Sequence, residues 1–600
     1  MEATRRFLFS RSSAASLRQV RLPSSSTTGT SRSSGANEKR GAAAASASAP
    51  PALERKLKPR HVQMMSVAGA FGTGLIISSG TGLMRGGPGS LLIAYVIMGL
   101  TVFSVMTALA EMATFATSDR GFPGYATRFA DPALGFATGY NYFLKYIVVL
   151  ANNLTASGII LQYWLPHLNV GIWITVFAPP VILINLFHVR VFGETQYVSG
   201  VLKLLVMAML IISCLVASLL SVPSRGGRVG FRYWRDPGPF ASYFHSVAGH
   251  DDEEGSWGRA LGLWACIIQA SFAYLGTEVV GMAFGETPNV EKEVPKAIQW
   301  TFWRIIVFYI GGAVVLGMNV PYTNEMLMAS TGRNAAASPF VIAMRLARIP
   351  VLPDVVNACL LIFVLSAACS DIYVASRTLY ALSRDSLAPA IFSRTINPSS
   401  SSYASSLRAR IAHLAHGVPI PAVLLSSVFA LLAYLNTAAG TSTIFARFVS
   451  LVTIFGILNW TAILITYLSF RAGLRAQRVP HSVLPYQGLG QPYLAIGALA
   501  VTLCVVLGAG FEAFVPRWDA GAFVTGYLGI VLFVCMFVGA KLLMKTTWVR
   551  GSKMDLTSGT AWGRSVEEGG EVMWREVPPV TQTSALEHWE SRHTENIDEV

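Results

Sequence analysis

Long apolar runs separated by short polar stretches repeat along most of this chain. About twelve can be read, at 62–83, 89–116, 134–164, 170–188, 198–221, 260–285, 300–320, 352–383, 419–437, 443–468, 493–514 and 521–544. A helix of about 20 residues crosses a hydrocarbon core of about 30 Å, so each run is expected to be a membrane-spanning α-helix. Composition agrees, with 52% hydrophobic and 13% charged residues and a mean hydropathy of +0.49; soluble domains carry about 25% charged residues. The expected fold class is an all-α polytopic membrane protein set in a lipid bilayer. Its transmembrane domain is expected over 57–545, between a basic tail at 1–56 and a polar tail at 546–600, both expected to be disordered.

The charges sharpen that picture. A net charge of +14 invites a nucleic-acid reading, but the basic residues sit in loops on one side of the expected bilayer, and no nucleic-acid partner is expected. Arg384, Arg394, Arg408 and Arg410 fall in one such loop, and Arg471, Arg475 and Arg478 in the next. The opposite side is poorer: 165–170 has no Lys or Arg, and 222–259 balances five Arg against five acids. Under the positive-inside rule both termini face the cytosol. The Ser- and Arg-rich start, "MEATRRFLFSRSSAASLRQVRLPSS", holds two readings open, a solvated cytosolic tail or a mitochondrial address. The tails are the expected contact for cytosolic trafficking or ubiquitination machinery. All six cysteines fall inside the apolar runs without metal-ligand spacing, and read as core residues.

Two runs are interrupted. The first carries "GAFGTG" with Gly69, Gly72 and Gly74, and the sixth carries "YLGTEVVG" with Gly276 and Thr277. Each interior Gly costs a helix about 0.8–1 kcal/mol relative to Ala. Glycine breaks at corresponding places in two halves of a chain point to a transporter site built from inverted repeats. Unwound backbone at membrane depth is tolerated only where it faces protein or a cavity. A half-helix N-terminus suits a carboxylate and free carbonyls suit an ammonium group, which together fit the head group of an α-amino acid. The candidate binding segments are therefore Ala70, Gly72, Thr73 and Gly74 in the first run, and Phe272, Ala273, Tyr274, Gly276 and Thr277 in the sixth. Phe272 and Tyr274 are its expected walls or lids. Gly80 and Gly82 read as helix-packing glycines.

The stretch "LKPRHVQMMSVAGAFGTGLIISSGTGLMRGGPGSLLIAY" resembles the opening of the fungal amino-acid permeases of the amino acid–polyamine–organocation superfamily. "DPALGFATGYNYF", "INLFHVRVFGETQY", "SFAYLGTEVVGMAFGETPNVEKEVPKAI", "LSAACSDIYVASRTLYALSRDSLAP" and "FRAGLRAQ" continue the likeness in order from about 57 to 490. The resemblance implies a five-plus-five inverted repeat of the leucine-transporter fold plus two C-terminal helices. It also implies secondary active, proton-coupled amino-acid uptake across the plasma membrane by alternating access. "NYFLKYIVVLANNLTASGIILQYW" and "VGFRYWRDPGPF" are most similar to the dicarboxylic permeases, which carry glutamate and aspartate. Many members place a Glu where this chain has Asn153, a departure that brings it closer to the dicarboxylic subgroup. Permeases for neutral or basic amino acids, and a non-transporting amino-acid sensor of the same fold, remain open alternatives.

Charged residues inside the spans carry the rest. Lys145 lies eleven residues, about 17 Å, into the third run, where a Lys costs about 2.5–3.5 kcal/mol on insertion scales. Asn152, about two turns on, falls on nearly the same helix face. Lys145 is a candidate partner for the substrate's side-chain carboxylate, with a structural or snorkelling lysine as the other reading. Glu278 is a candidate proton-coupling acid, or else a group that ties the interrupted segment together. The resemblance adds Lys203 and Ser366 as proton-coupling candidates, at the positions of a sodium-like site. Glu111, Glu194, Glu286 and Arg377 sit near span ends and read as structural pairs. No GxxxxGK[ST], HExxH or GxSxG pattern occurs, so neither an enzyme nor ATP-driven transport is expected, and no cofactor or metal is called for.

Overall fold

The structure is a computed structural model. It describes residues 60, 64, 72, 74–116, 120–187, 189–222, 227–246, 255–284, 290–330, 338–348, 351–395, 417–437, 441–480, 484–557, 562–566 and 572–576. The expected tail 1–56 and the site candidates Ala70 and Thr73 lie outside the described residues, as does Glu286.

Among the described residues ten helices are long and apolar enough to span a membrane, and Val170–Leu186 is a shorter apolar helix. The described helices begin, in chain order, with α1 (Ser79–Phe115), preceded by a π-turn at Gly74–Ser78, α2 (Gly121–Phe129), α3 (Pro132–Leu161), α4 (Val170–Leu186), α5 (Val189–Leu219) and α6 (Ser256–Tyr274). They are followed by α7 (Val279–Ala283), α8 (Val290–Arg304), α9 (Gly311–Asn319), α10 (Glu325–Ser330), α11 (Pro339–Leu346) and α12 (Leu352–Arg384). The set closes with α13 (Ile420–Val428), α14 (Thr441–Ala476), α15 (Tyr493–Gly508) and α16 (Ala520–Met544). Two of the expected runs are joined in α1: Gly87 takes φ 78 beside Pro88, kinking the chain between them. Glycine alone adopts that conformation without penalty, and the proline cannot continue the hydrogen-bond ladder. The only strands among the described residues are two short antiparallel hairpins, Ser221–Val222 with Gly227–Arg228 and Trp562–Val566 with Val572–Glu576.

The core lies where α1 crosses α6 and α3 runs along α12, the two most extensive helix contacts. α3 starts with Asp131 as its N-cap, the carboxylate accepting from Ala133 N at 2.8 Å, and Pro132 at the first helical position, both favoured there. By contrast, α16 keeps many apolar side chains exposed, among them Val524, Val531, Leu542 and Leu543, as a lipid-facing helix does.

The start of the 546–600 segment corrects its reading as a disordered tail. Residues 546–557 pack against the helix bundle: Val549 N donates to Ala130 O at 2.8 Å, and Gln477 Nε2 donates to Gly551 O and Met554 O. Met554 and Leu556 are buried. The stretch reads as polar in the sequence, but Met554 and Leu556 give it a buried apolar contact.

Candidate functional site

Helix six is broken as the sequence requires. α6 ends at Tyr274, residues 275–278 form turns with Gly276 at φ +92, and α7 resumes at Val279. In the first run, Gly72 sits in a bend and a π-turn runs over Gly74–Ser78. Gly74 answers why the segment accepts glycine: an added Cβ would lie 2.8 Å from Phe272 O and 2.9 Å from Ala273 Cα. The two backbones touch there, and any side chain would push them apart. At Gly80 an added Cβ would meet Pro339 of the α11 helix at 3.1 Å, a helix-packing contact, and at Gly82 it would meet Leu91 across the kink of α1 at 3.0 Å.

Between these breaks, α3 and α12 lies a cavity of about 540 Å³, part of it open to solvent. The sequence candidates Gly72, Gly74, Phe272, Ala273 and Gly276 line it, as do Lys145 and Asn153. Tyr274 does not: it is fully buried, its hydroxyl donates to Tyr95 O at 2.9 Å, and its ring stacks on Tyr309 at 4.3 Å. It is core, and the lid expectation is corrected. Thr277 is also turned away, donating to Tyr274 O and accepting from Arg304 Nη2, both at 2.8 Å. The polar stripe of α3 is shifted by one residue. The cavity face runs through Lys145, Tyr146, Val149 and Asn153, while Asn152 is buried with its Oδ1 unpartnered among the described residues. Seven residues return to the same face of an ideal helix only to within about 20°, and that drift takes Asn152 off the lining.

Lys145 is neither free nor snorkelling. Its Nζ pairs with Glu278 Oε1 and lies 4.7 Å from the centroid of the Tyr146 ring. Both partners are buried, with side-chain exposures of 1% and 0%. Glu278 Oε2 accepts from Gly276 N at 3.1 Å and from Trp460 Nε1 at 3.2 Å, and Oε1 also accepts from Tyr146 Oη at 3.5 Å. The carboxylate thus joins α3, α14 and the broken segment at one point. Burying two charges in low dielectric is tolerated when their geometry is good and the remaining lone pairs are satisfied.

Sequence reasoning passed over Asp371. It sits on α12, lines the cavity and is 4% exposed. Asn153 Nδ2 donates to its Oδ2 at 2.7 Å. No ion pair to it is recorded among the described residues. The signal was present, since an acid in the apolar interior of a helix of 33 residues is a functional candidate by default; it was absorbed into a motif read only for likeness. Lys203 and Ser366 lie on the neighbouring α5–α12 seam and do not line the cavity. Ser366 Oγ sits 2.8 Å from Ser199 Oγ and 3.0 Å from Gln196 Oε1. Lys203, one turn past Ser199, is buried with its Nζ 5.9 Å from the centroid of the Phe363 ring.

Two of the span-end acids form ion pairs. Glu111 accepts from Tyr467 Oη at 2.7 Å and Gly488 N at 2.7 Å, with Arg471 at 3.4 Å. Glu194 pairs with Arg60, and Arg377 lies over the Tyr373 ring at 5.1 Å.

The family model described as "Amino acid permease" matches residues 61–550, most of the chain. The chain belongs to the amino acid permease family. The permease is 45% identical over 506 residues to an uncharacterized amino-acid permease of Schizosaccharomyces pombe, covering 84% of this chain and 92% of that one. It is 40% identical over 523 residues to a dicarboxylic amino acid permease of Saccharomyces cerevisiae, covering 86% and 82%. A proline-specific permease of Emericella nidulans is 34% identical over 516 residues, covering 85% and 88%. The permease is therefore an integral membrane protein of amino-acid transport, and relatives at comparable coverage are named for chemically different substrates.

Proposed function

We propose that the permease imports acidic amino acids, glutamate and aspartate, by proton-coupled alternating access, across the plasma membrane and with both tails in the cytosol. The observation that carries this reading is the cavity bounded by two helix breaks, with Lys145, Tyr146, Asn153, Ser370 and Asp371 in its polar lining. The backbone at Gly72, Gly74 and Gly276 suits the common α-amino-acid head group, leaving the side chain to the polar residues of α3 and α12. Identity of 40% to a dicarboxylic amino acid permease supports the acidic class. Lys145 serves this reading indirectly: its charge is engaged by Glu278, so it fixes the broken segment and adds a positive field rather than a bare ammonium group. Glu278, tied on both oxygens, is assigned to that structural role. Lys203 and Ser366 lie on the α5–α12 seam beside the site, which Ser366 ties by hydrogen bonds to Ser199 and Gln196.

A second reading has one observation in its favour. Asp371 is a cavity carboxylate with no ion pair among the described residues, which would suit the ammonium group of a basic side chain. Uptake of labelled glutamate by cells lacking their own permeases, followed against external pH with unlabelled competitors, separates the two. Inhibition by aspartate and faster uptake in acid are expected. Inhibition by lysine but not aspartate would establish the basic reading. Binding without accumulation would establish a sensor of the same fold. Imaging a fluorescent fusion tests the compartment.

A further inference from the structure

The acid that faces the cavity presents a problem for an acidic substrate. Lys145 and Glu278 pair with one another and Lys203 lies outside the lining, so Asp371 is a carboxylate on the cavity wall that makes no ion pair among the described residues. Asn153 occupies one of its oxygens at 2.7 Å, and no partner for the other is recorded among the described residues. The substrate's side-chain carboxylate enters a buried space that already holds a carboxylate. Two such groups in contact cannot both stay ionised; one proton shared between them turns repulsion into a strong hydrogen bond.

We propose that Asp371 is where the proton and the substrate's side-chain carboxylate meet. Protonated, it donates a hydrogen bond to that carboxylate; ionised, it excludes it. This rests on the acidic-substrate, proton-coupled reading above and names the residue that performs the coupling. The coupling follows from charge alone: the anionic side chain and the proton enter together, and releasing the proton expels the anion. Asn153 acts as the positioning residue, because its amide holds one oxygen in either protonation state and aims the other at the cavity.

The groups around Asp371 fit that role. From α3, Tyr142, Tyr146 and Lys145 face it, and from α5, Lys203 does. Cys369 neighbours it on α12 itself. None is recorded in ion-pair contact with it. α4 and α13 carry no titratable side chain. Arg345 of α11 is exposed and lies over the Tyr163 ring at 4.9 Å.

The test compares wild type with Asp371→Asn, Asp371→Glu and the exchange variant Asn153→Asp/Asp371→Asn, in proteoliposomes with imposed gradients. In wild type the KM for glutamate rises by about tenfold per pH unit once Asp371 ionises, because only the protonated form binds. Asp371→Asn, fixed in a neutral hydrogen-bonding form, has a counterflow KM for glutamate that no longer follows pH. It also fails to accumulate glutamate on a proton gradient. Asp371→Glu and the exchange variant, each with a carboxyl restored to the pair, recover pH dependence. A purely structural Asp371 would not move the pH profile of KM. The assignment is overturned if Asp371→Asn keeps the wild-type profile or still accumulates glutamate on a proton gradient. It is also overturned if Asp371→Asn does not fold and both carboxyl-bearing variants transport glutamate without pH dependence. A wild-type protein that ignores glutamate, or takes it up regardless of pH, instead refutes the reading beneath it, and the proposal with it.

Discussion

Lys145 shows how far single residues can be read from the sequence. Its depth in the third run marks it as a residue needing a partner, and the partner, Glu278, stood among the candidates for a different reason. Nothing in the chain links two positions separated by 132 intervening residues; only the packing of the broken sixth helix against α3 brings them together. Removing one partner leaves an uncompensated buried charge, at a cost of about 3–5 kcal/mol. Lys145→Ala and Glu278→Ala are therefore each expected to lower the thermal midpoint in detergent sharply and to abolish uptake. The neutral pair Lys145→Met/Glu278→Gln should recover much of the lost stability, and additive losses in this double-mutant cycle would rule out the pair as a unit. Lys145→Ala is expected to impair glutamate and alanine uptake alike, since it loosens the broken segment that both substrates share. The Asn152–Asn153 displacement shows the other limit: a helix face can be read to within a residue, but which edge of it meets the cavity is set by the neighbouring helices.

At the scale of elements the breaks were legible, because their cause is local. Gly276 needs a positive φ that other residues adopt only under strain, and Gly74 sits where two backbones touch. Glycine clusters in otherwise apolar runs announce both. A methyl group at Gly74 forces the helices apart, at about 1–3 kcal/mol of overpacking. Gly74→Ala is expected to cut initial uptake by about tenfold or more without loss of the protein from the membrane. Gly497→Ala is the control, since nothing lies within 4 Å of the added carbon, and its uptake should match wild type. Equal rates for both variants would mean that the contact of α6 with the π-turn does not shape the site. The join of two spans in α1 was not legible as one element. The sequence shows two apolar runs with Gly87 and Pro88 near their border, and the kink leaves helical hydrogen bonding on either side of it.

For the whole molecule, the unexpected feature is the strap formed by residues 546–557, whose anchor is Asp131. This side chain is fully buried at the start of α3 and accepts from Lys541 Nζ at 2.6 Å, Thr546 Oγ1 at 2.7 Å and Ala133 N at 2.8 Å. Burial pushes its carboxyl up, but those hydrogen bonds outweigh it and hold the group below the ordinary aspartate value. The sign of the pH effect follows. A carboxyl whose folded value is depressed stabilises the fold fully above its unfolded value, about 3.9, and that stabilisation is lost as pH falls through the folded value. The strap should therefore hold throughout the neutral and mildly acidic range in which uptake is measured, and its titration cannot imitate a pH-dependent KM. Asp131→Asn removes the charge that Lys541 and Thr546 grip. It is expected to lower the thermal midpoint by several degrees at neutral pH and to make residues near Val549 accessible to limited proteolysis. As pH drops below about 4, the wild-type midpoint should fall toward that of Asp131→Asn, because protonation makes the same change chemically. A gap between the two proteins that stays constant through this acid range would show that Asp131 is not the group that fastens the strap.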